Sequence, residues 1–157
     1  MPNQEIERKF LIKGEFKKFA PRKLQIKQGF LSTVPERTVR VRITDAEAFL
    51  TIKGIGNKNG MSRFEFEKKI ELADAKDLLQ ICEPGIIIKT RYIIPIKANL
   101  SFEIDEFFGD NSGLVLAEIE LPSEETSFEK PEWLGKEVTG DVRYYNAMLV
   151  KKPYTSW

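Results

Sequence analysis

Glu5, Glu7 and Lys9 stand two residues apart, and the same spacing recurs as Arg40/Arg42, Glu65/Glu67, Lys89/Arg91, Glu103/Asp105 and Glu118/Glu120. In an extended strand alternate residues share a face, so each pair sets two like charges side by side. The residues between them are mostly apolar: Val39, Val41 and Ile43 flank the arginines, Phe64 and Phe66 one acidic pair, Ala117, Ile119 and Leu121 another. Arginine pairs grip phosphate oxygens bidentately, and lysines add compact point charge. Carboxylates repel phosphate and belong beside it where a divalent cation bridges the two. An unlike pair about 4 Å apart is worth about 4 kcal/mol at an effective dielectric near 20. Several such contacts favour a highly charged anion over a monophosphate.

Composition removes other chemistries. The 157 residues include no histidine, which excludes Ser-His and Cys-His nucleophiles and imidazole metal sites. Any metal would then be held by carboxylate oxygen, the ligand of hard ions such as Mg2+ or Mn2+. Cys82 is the one cysteine, so no disulfide framework or thiolate cluster exists, and it reads as a small apolar side chain. Lys+Arg total 25 against 24 Asp+Glu, a net charge of +1 that argues against nucleic-acid or anionic-membrane surfaces. No signal segment opens the chain and no apolar run approaches the ~20 residues of a membrane span, so the expected home is the cytoplasm.

These charges need strands to carry them. Strand-like runs fall at about 4–12, 24–33, 38–44, 48–53, 61–71, 86–96, 99–107 and 115–121, punctuated by Pro35, the glycine-rich 54–60 stretch, Lys97-Ala98-Asn99 and Gly109 to Gly113. Short connections to the fourth, fifth, seventh and eighth runs predict antiparallel pairing. Helices are expected over 73–82 and over 141–150, the latter capped by Asp141, with a minor one near 16–19. Length and the lack of a linker predict one domain over 1–157. Eight short, even strands suggest a closed barrel, although an open sheet with one wet face gives the same alternation. Two features weigh against the open sheet. The charged positions carry few Ser, Thr, Asn or Gln, and like-sign pairs sorted by strand are unfavourable without counter-ions nearby.

In a barrel the inward cations are Lys9, Arg40, Arg42, Lys53, Lys89 and Arg91, and the inward anions Glu5, Glu7, Glu65, Glu67, Glu103, Asp105, Glu118 and Glu120. Lys89 and Arg91 could equally serve as structural bridges to Glu103 and Asp105. Gly54-Ile55-Gly56 reads as a hairpin tip and not a phosphate loop, since no Walker lysine follows.

The ordered set Glu5-Ile6-Glu7-Arg8-Lys9-Phe10-Leu11, Gln28-Gly29-Phe30-Leu31, Arg40-Val41-Arg42, Thr51-Ile52-Lys53, Glu65-Phe66-Glu67, Lys89-Thr90-Arg91-Tyr92, Phe102-Glu103-Ile104-Asp105, Ala117-Glu118-Ile119-Glu120 and Glu137-Val138-Thr139 before Asp141-Val142-Arg143-Tyr144 resembles the CYTH domain, or triphosphate tunnel metalloenzyme, superfamily. The resemblance spans essentially the whole chain and is strongest to a short bacterial branch of adenylate cyclase-like proteins and inorganic triphosphatases. It implies a mainly β fold: an eight-stranded antiparallel closed tunnel with a few flanking helices and a C-terminal plug helix. It implies Mg2+ or Mn2+ held by Glu5, Glu7, Glu118 and Glu120, with Asp105 assisting. It implies a triphosphate bound by Lys9, Arg40, Arg42, Lys53, Lys89, Arg91 and Arg143. Lys9, Arg42, Lys89, Glu65 and Glu67 are the residues it implicates in catalysis. The implied reaction is hydrolysis of tripolyphosphate to diphosphate and phosphate; adenylate cyclisation, hydrolysis of nucleoside or thiamine triphosphate, and non-catalytic polyphosphate binding are the alternatives. The expected partner is a small triphosphate, with no nucleic acid or membrane and with a homodimer as an option. Phe30 stands where related enzymes often carry a tyrosine, so a Tyr–Lys partnership with Lys89 is not available.

Overall fold

The computed structural model describes residues 3–157. Strands β1 (Gln4–Ile12), β2 (Arg22–Ser32), β3 (Thr38–Thr44), β4 (Glu47–Lys53) and β5 (Ser62–Ile70) precede helix α1 (Leu72–Gln80); β6 (Ile87–Pro95), β7 (Ser101–Phe107), β8 (Val115–Glu120), β9 (Leu134–Glu137) and helix α2 (Asn146–Leu149) follow. The strands run in the spatial order β5-β4-β3-β2-β6-β7-β8-β1-β9, and a further β5–β1 pairing closes the first eight into a barrel. All of the pairings are antiparallel. β1 achieves closure by changing partners along its length: Gln4 to Ile6 pair with β5, while Glu7 to Leu11 pair with β8.

The apolar core lies mostly outside the barrel wall. Helix α1 covers β3 and β4 through Ala75, Leu72, Leu78 and Leu79, which pack with Val41, Ala48 and Leu50. On the opposite side Phe10, Phe102, Ile104 and Ile119 are buried with Phe16 and Trp133 from the connecting segments. This is why the outward residues between the charges are greasy. Phe64 and Phe66 depart from that pattern, at 40% and 39% exposed on the outer face of β5.

At one end the inward rows turn apolar. Ile87, Phe107 and Leu116 lie two residues from Lys89, Asp105 and Glu118 on the same strand faces, and they form a cluster with Val138, Tyr144 and Leu149 of the C-terminal segment. The barrel is therefore plugged by hydrophobic packing at that end and ionised along the rest of its interior.

Three sequence expectations are corrected. β9 was not among the eight expected runs. It pairs with β1 at Phe10 and Ile12. Helix α1 ends at Gln80, leaving Cys82 just beyond it. The expected single helix over 141–150 is broken: a 3-10 turn at Val142–Tyr144 precedes the four-residue α2, with Tyr145 extended between them at φ −68° and ψ 134°. Asp141 does cap the turn, accepting from the Arg143 amide. The break is explained by what Tyr145 gains. With extended backbone its ring meets Lys9 Nζ at 5.0 Å and the Arg63 guanidinium at 5.3 Å, both cation–π contacts.

Candidate functional site

The barrel encloses a cavity of about 520 Å³. Strand register decides who faces it. Cross-strand partners share a face, and the register sets Lys9 opposite Glu118, Lys53 opposite Glu65 and Arg91 opposite Asp105. It also sets like charges opposite one another: Glu7 faces Glu120 and Glu103 faces Glu118. Such like pairs are destabilising by themselves, so the interior is built for something other than its own stability.

Of the residues expected inside, Lys9, Arg40, Arg42, Lys53, Lys89 and Arg91 all line the cavity. So do the carboxylates Glu5, Glu7, Glu65, Glu67, Glu103, Glu118 and Glu120. Two expected residues do not. Arg143 points outward with a 63% exposed side chain and pairs with Asp141 at 2.7 Å. Helical winding at 142–144 turns it away from the barrel, onto the faces of Tyr144 and Trp157. Asp105 is fully buried in the wall, bound bidentately by Arg91 at 2.8 and 2.9 Å and by Lys89 at 2.8 Å. Both of its oxygens are occupied by cations, so it serves as their counter-ion instead of a free metal ligand.

The remaining carboxylates are crowded. Glu5 accepts from Lys53 at 2.9 and 3.1 Å. Burial disfavours its charge, but Lys53 and Arg63 hold its pKa below the ordinary value. Burial, with Glu118 and Glu5 close by, pushes Glu7 well above the ordinary range. Glu118 goes the other way: burial opposes its charge, yet Lys9, the hydrogen bond from Glu7 and Arg91 hold it well below. The two neighbouring carboxyl groups are thus pushed in opposite directions. Burial and the neighbouring Glu5 raise Glu65 to about 7.

The cations are equally strained. Burial, reinforced by Arg40 and Arg91, lowers Arg42 to about 9. Burial lowers Lys89 to about 7 despite Asp105. Arg40 donates to Thr51 at 3.0 Å and reaches Glu67 at 3.5 Å, while its Nε is buried with no partner. An orphaned guanidinium N–H of this kind costs free energy until an acceptor arrives.

The carboxylate set suits a hard divalent ion. Its donors are all oxygen, and a divalent ion would relieve the crowding of carboxylates that raises Glu7. Among the described residues no three carboxylates are grouped at ligating distance, and Lys53 holds one of them, Glu5.

Sequence reasoning did not single out Arg63, Tyr145 and Asn146, which line the cavity, or Gln28, which is fully buried behind it. Arg63 lies 3.7 Å from Glu5, two residues ahead of Glu65, where the alternation of β5 could have flagged it. The 54–60 loop and the segment after Gly140 also line the cavity. Gly60, at φ +75°, lies so close to Gly140 that a Cβ there would collide with backbone.

The sequence of this barrel matches the CYTH domain over residues 3–154. The chain belongs to the CYTH domain family. This CYTH chain is 42% identical to the inorganic triphosphatase of Acetivibrio thermocellus over 155 residues, 98% of this chain and 97% of that protein. It is 37% identical to the inorganic triphosphatase of Nitrosomonas europaea over 148 residues, 92% of this chain and 95% of that one. Among solved structures, the crystal structure of the inorganic triphosphatase NE1496 matches with a TM-score of 0.62 at 34% identity, covering 92% of this chain and 96% of its own. The closed eight-stranded CYTH barrel is therefore the fold of this protein, with β9 added at its edge.

Proposed function

We propose that this protein is a metal-dependent hydrolase that cleaves inorganic tripolyphosphate to diphosphate and phosphate. The observation that carries the proposal is one cavity where eight cations meet seven carboxylates and where a buried arginine N–H has no acceptor. The two relatives named inorganic triphosphatase support it.

In this reading Arg40, Arg42, Lys53, Lys89, Arg91 and Lys9 bind the phosphate chain and stabilise charge spreading over the equatorial oxygens. Glu5, Glu7, Glu118 and Glu120 would hold Mg2+ or Mn2+, which supplies charge neutralisation and a more acidic water. Glu65, at about 7, has the proton affinity of a general base working near neutrality. It accepts a proton from the attacking water as the terminal P–O–P bond breaks, and diphosphate leaves with the bond electrons. Asp105 holds Lys89 and Arg91 in place without touching substrate. Lys89 is held by Asp105 and Asn146 and has no tyrosine partner, because Phe30 fills that position.

Phosphate release from tripolyphosphate, ATP and thiamine triphosphate, assayed side by side with Mg2+ and Mn2+, tests the proposal. Tripolyphosphate is expected to be the best substrate. No release from it under either metal would overturn the assignment, and preference for ATP or thiamine triphosphate would redirect it to an organic substrate.

A further inference from the structure

Two neutral side chains tie the cationic walls together. Asn146, the first residue of α2, accepts two hydrogen bonds on its Oδ1, from Gln28 Nε2 at 2.7 Å and from Lys89 Nζ at 2.9 Å. Gln28 Oε1 in turn accepts from Arg42 Nε at 2.9 Å. The chemistry of the ends fixes the direction of this chain, since guanidinium and ammonium groups only donate. Arg42 draws the oxygen of Gln28 toward itself, which turns the Gln28 nitrogen to Asn146. That nitrogen and Lys89 together claim the oxygen of Asn146. The Asn146 NH2 is left on the far side of its amide, with no acceptor among the described residues. It is not sealed in protein either: the buried side-chain atom without a partner among those residues is Arg40 Nε, and Asn146 lines the cavity.

The mounting is rigid. Gln28 is fully buried, and Leu149, three residues after Asn146, is fully buried among Ile87, Phe107 and Leu116. An uncommitted amide donor therefore stands beside Lys89 in the wall of the cavity. A neutral donor offers phosphate oxygen a charge-assisted hydrogen bond without adding another cation to an interior already short of solvent.

We infer that Asn146 binds the phosphate chain through its Nδ2 donor, and that Gln28 is the positioning residue that aims it. The inference rests on the triphosphatase function proposed above. The isosteric Asn146→Asp keeps the oxygen that Lys89 and Gln28 require and replaces the donor with a second acceptor. Asn146→Ala removes both. Loss of a hydrogen bond to a charged group predicts that KM and the calorimetric Kd for tripolyphosphate rise about tenfold in Asn146→Ala, with Asn146→Asp affected at least as much. The kcat should fall less than KM rises, since the donor contacts the chain in the ground state and the transition state alike. Gln28→Met should raise KM more in the wild-type background than in Asn146→Ala, where only its hold on Arg42 is left to lose. In nitrogen-15 spectra the Asn146 side-chain amide should shift on saturation with tripolyphosphate. Wild-type affinity in Asn146→Asp, or an unmoved Asn146 amide in a wild-type protein that binds and hydrolyses tripolyphosphate, would overturn the inference alone. A wild-type protein that neither binds nor hydrolyses it would overturn both.

Discussion

Asp105 and Glu7 are both carboxylates carried into the barrel on inward strand positions, and their surroundings are opposite. Asp105 has two cations for one charge, Lys89 and Arg91, with side chains only 1% and 8% exposed. Burial works against its charge, and those two cations hold its pKa low all the same. Glu7 has carboxylates as neighbours, Glu118 and Glu5, and burial with their charge pushes it well up. The protein neutralises the first region by itself. The second is left to a proton or to an ion from solution. Desolvated charge is tolerated where hydrogen bonds complete it, and left incomplete where a ligand is to finish the job.

The largest effect should separate these regions outright. Glu7→Gln is expected to reduce tripolyphosphate turnover about 10²–10³-fold, the scale of losing one electrostatic contact in a preorganised site. Its thermal stability should stay level or rise, because Gln carries no charge to desolvate. Asp105→Asn should do the reverse in stability, losing about 3–5 kcal/mol in urea unfolding because two buried cations lose their counter-ion. An Asp105→Asn protein as stable as wild type would erase the distinction. Arg42→Ala should fall on the Glu7 side, with a turnover loss of about 10²-fold and an intact fold; wild-type rates in Arg42→Ala would remove that residue from the machinery.

A smaller effect sharpens the same contrast without any substrate. Ligands that bind only the folded state raise its stability, by about 2.7 kcal/mol at one hundred times Kd. Mg2+ or Mn2+ alone should therefore raise the melting temperature of wild type and of Arg42→Ala, but not of Glu7→Gln. An equal rise in all three would place the ion elsewhere.

Much of this division was legible in sequence. The alternation of charge and grease through Glu5-Ile6-Glu7 or Arg40-Val41-Arg42 requires strands with one ionised face, and the structure has them. The difference between Asp105 and Glu7 was not legible, because it depends on cross-strand neighbours: register sets Arg91 opposite Asp105 but Glu120 opposite Glu7. β9 escaped notice because Leu134-Gly-Lys-Glu is short and does not alternate. Its Gly135 is needed for close approach, since a Cβ there would lie 2.9 Å from the Leu11 carbonyl oxygen. The break at Tyr145 was hidden because Val142, Tyr145 and Leu149 do fit a helical period, while the cations that hold the ring come from β1 and β5. Gln28 and Asn146 bear no charge, so a search by charge passed over them.

The smallest effect lies in the pH dependence of the metal-free, ligand-free protein. Glu65 is raised by burial and Glu5 from an ordinary 4.5 to about 7. Between those values the folded state holds a proton that the unfolded state releases, so this group's contribution to stability is lost as pH rises through the window. Lys89 is lowered by burial from an ordinary 10.5 to about 7. From about 7 upward the unfolded state holds the extra proton, so stability climbs again toward 10.5. The two slopes meet near neutrality in a shallow minimum, visible as a dip in urea midpoint between pH 5 and 9. Glu65→Gln should make the descending limb shallower, the remainder coming from the raised Glu7, and leave the ascending one. A divalent ion binds carboxylates better as their protons leave, so Mg2+ should fill the dip from its alkaline side. A midpoint flat across neutrality in the metal-free protein would mean that Glu65 and Lys89 relax in solution, and with that the strain of the crowded carboxylates that sets them apart from Asp105 would disappear.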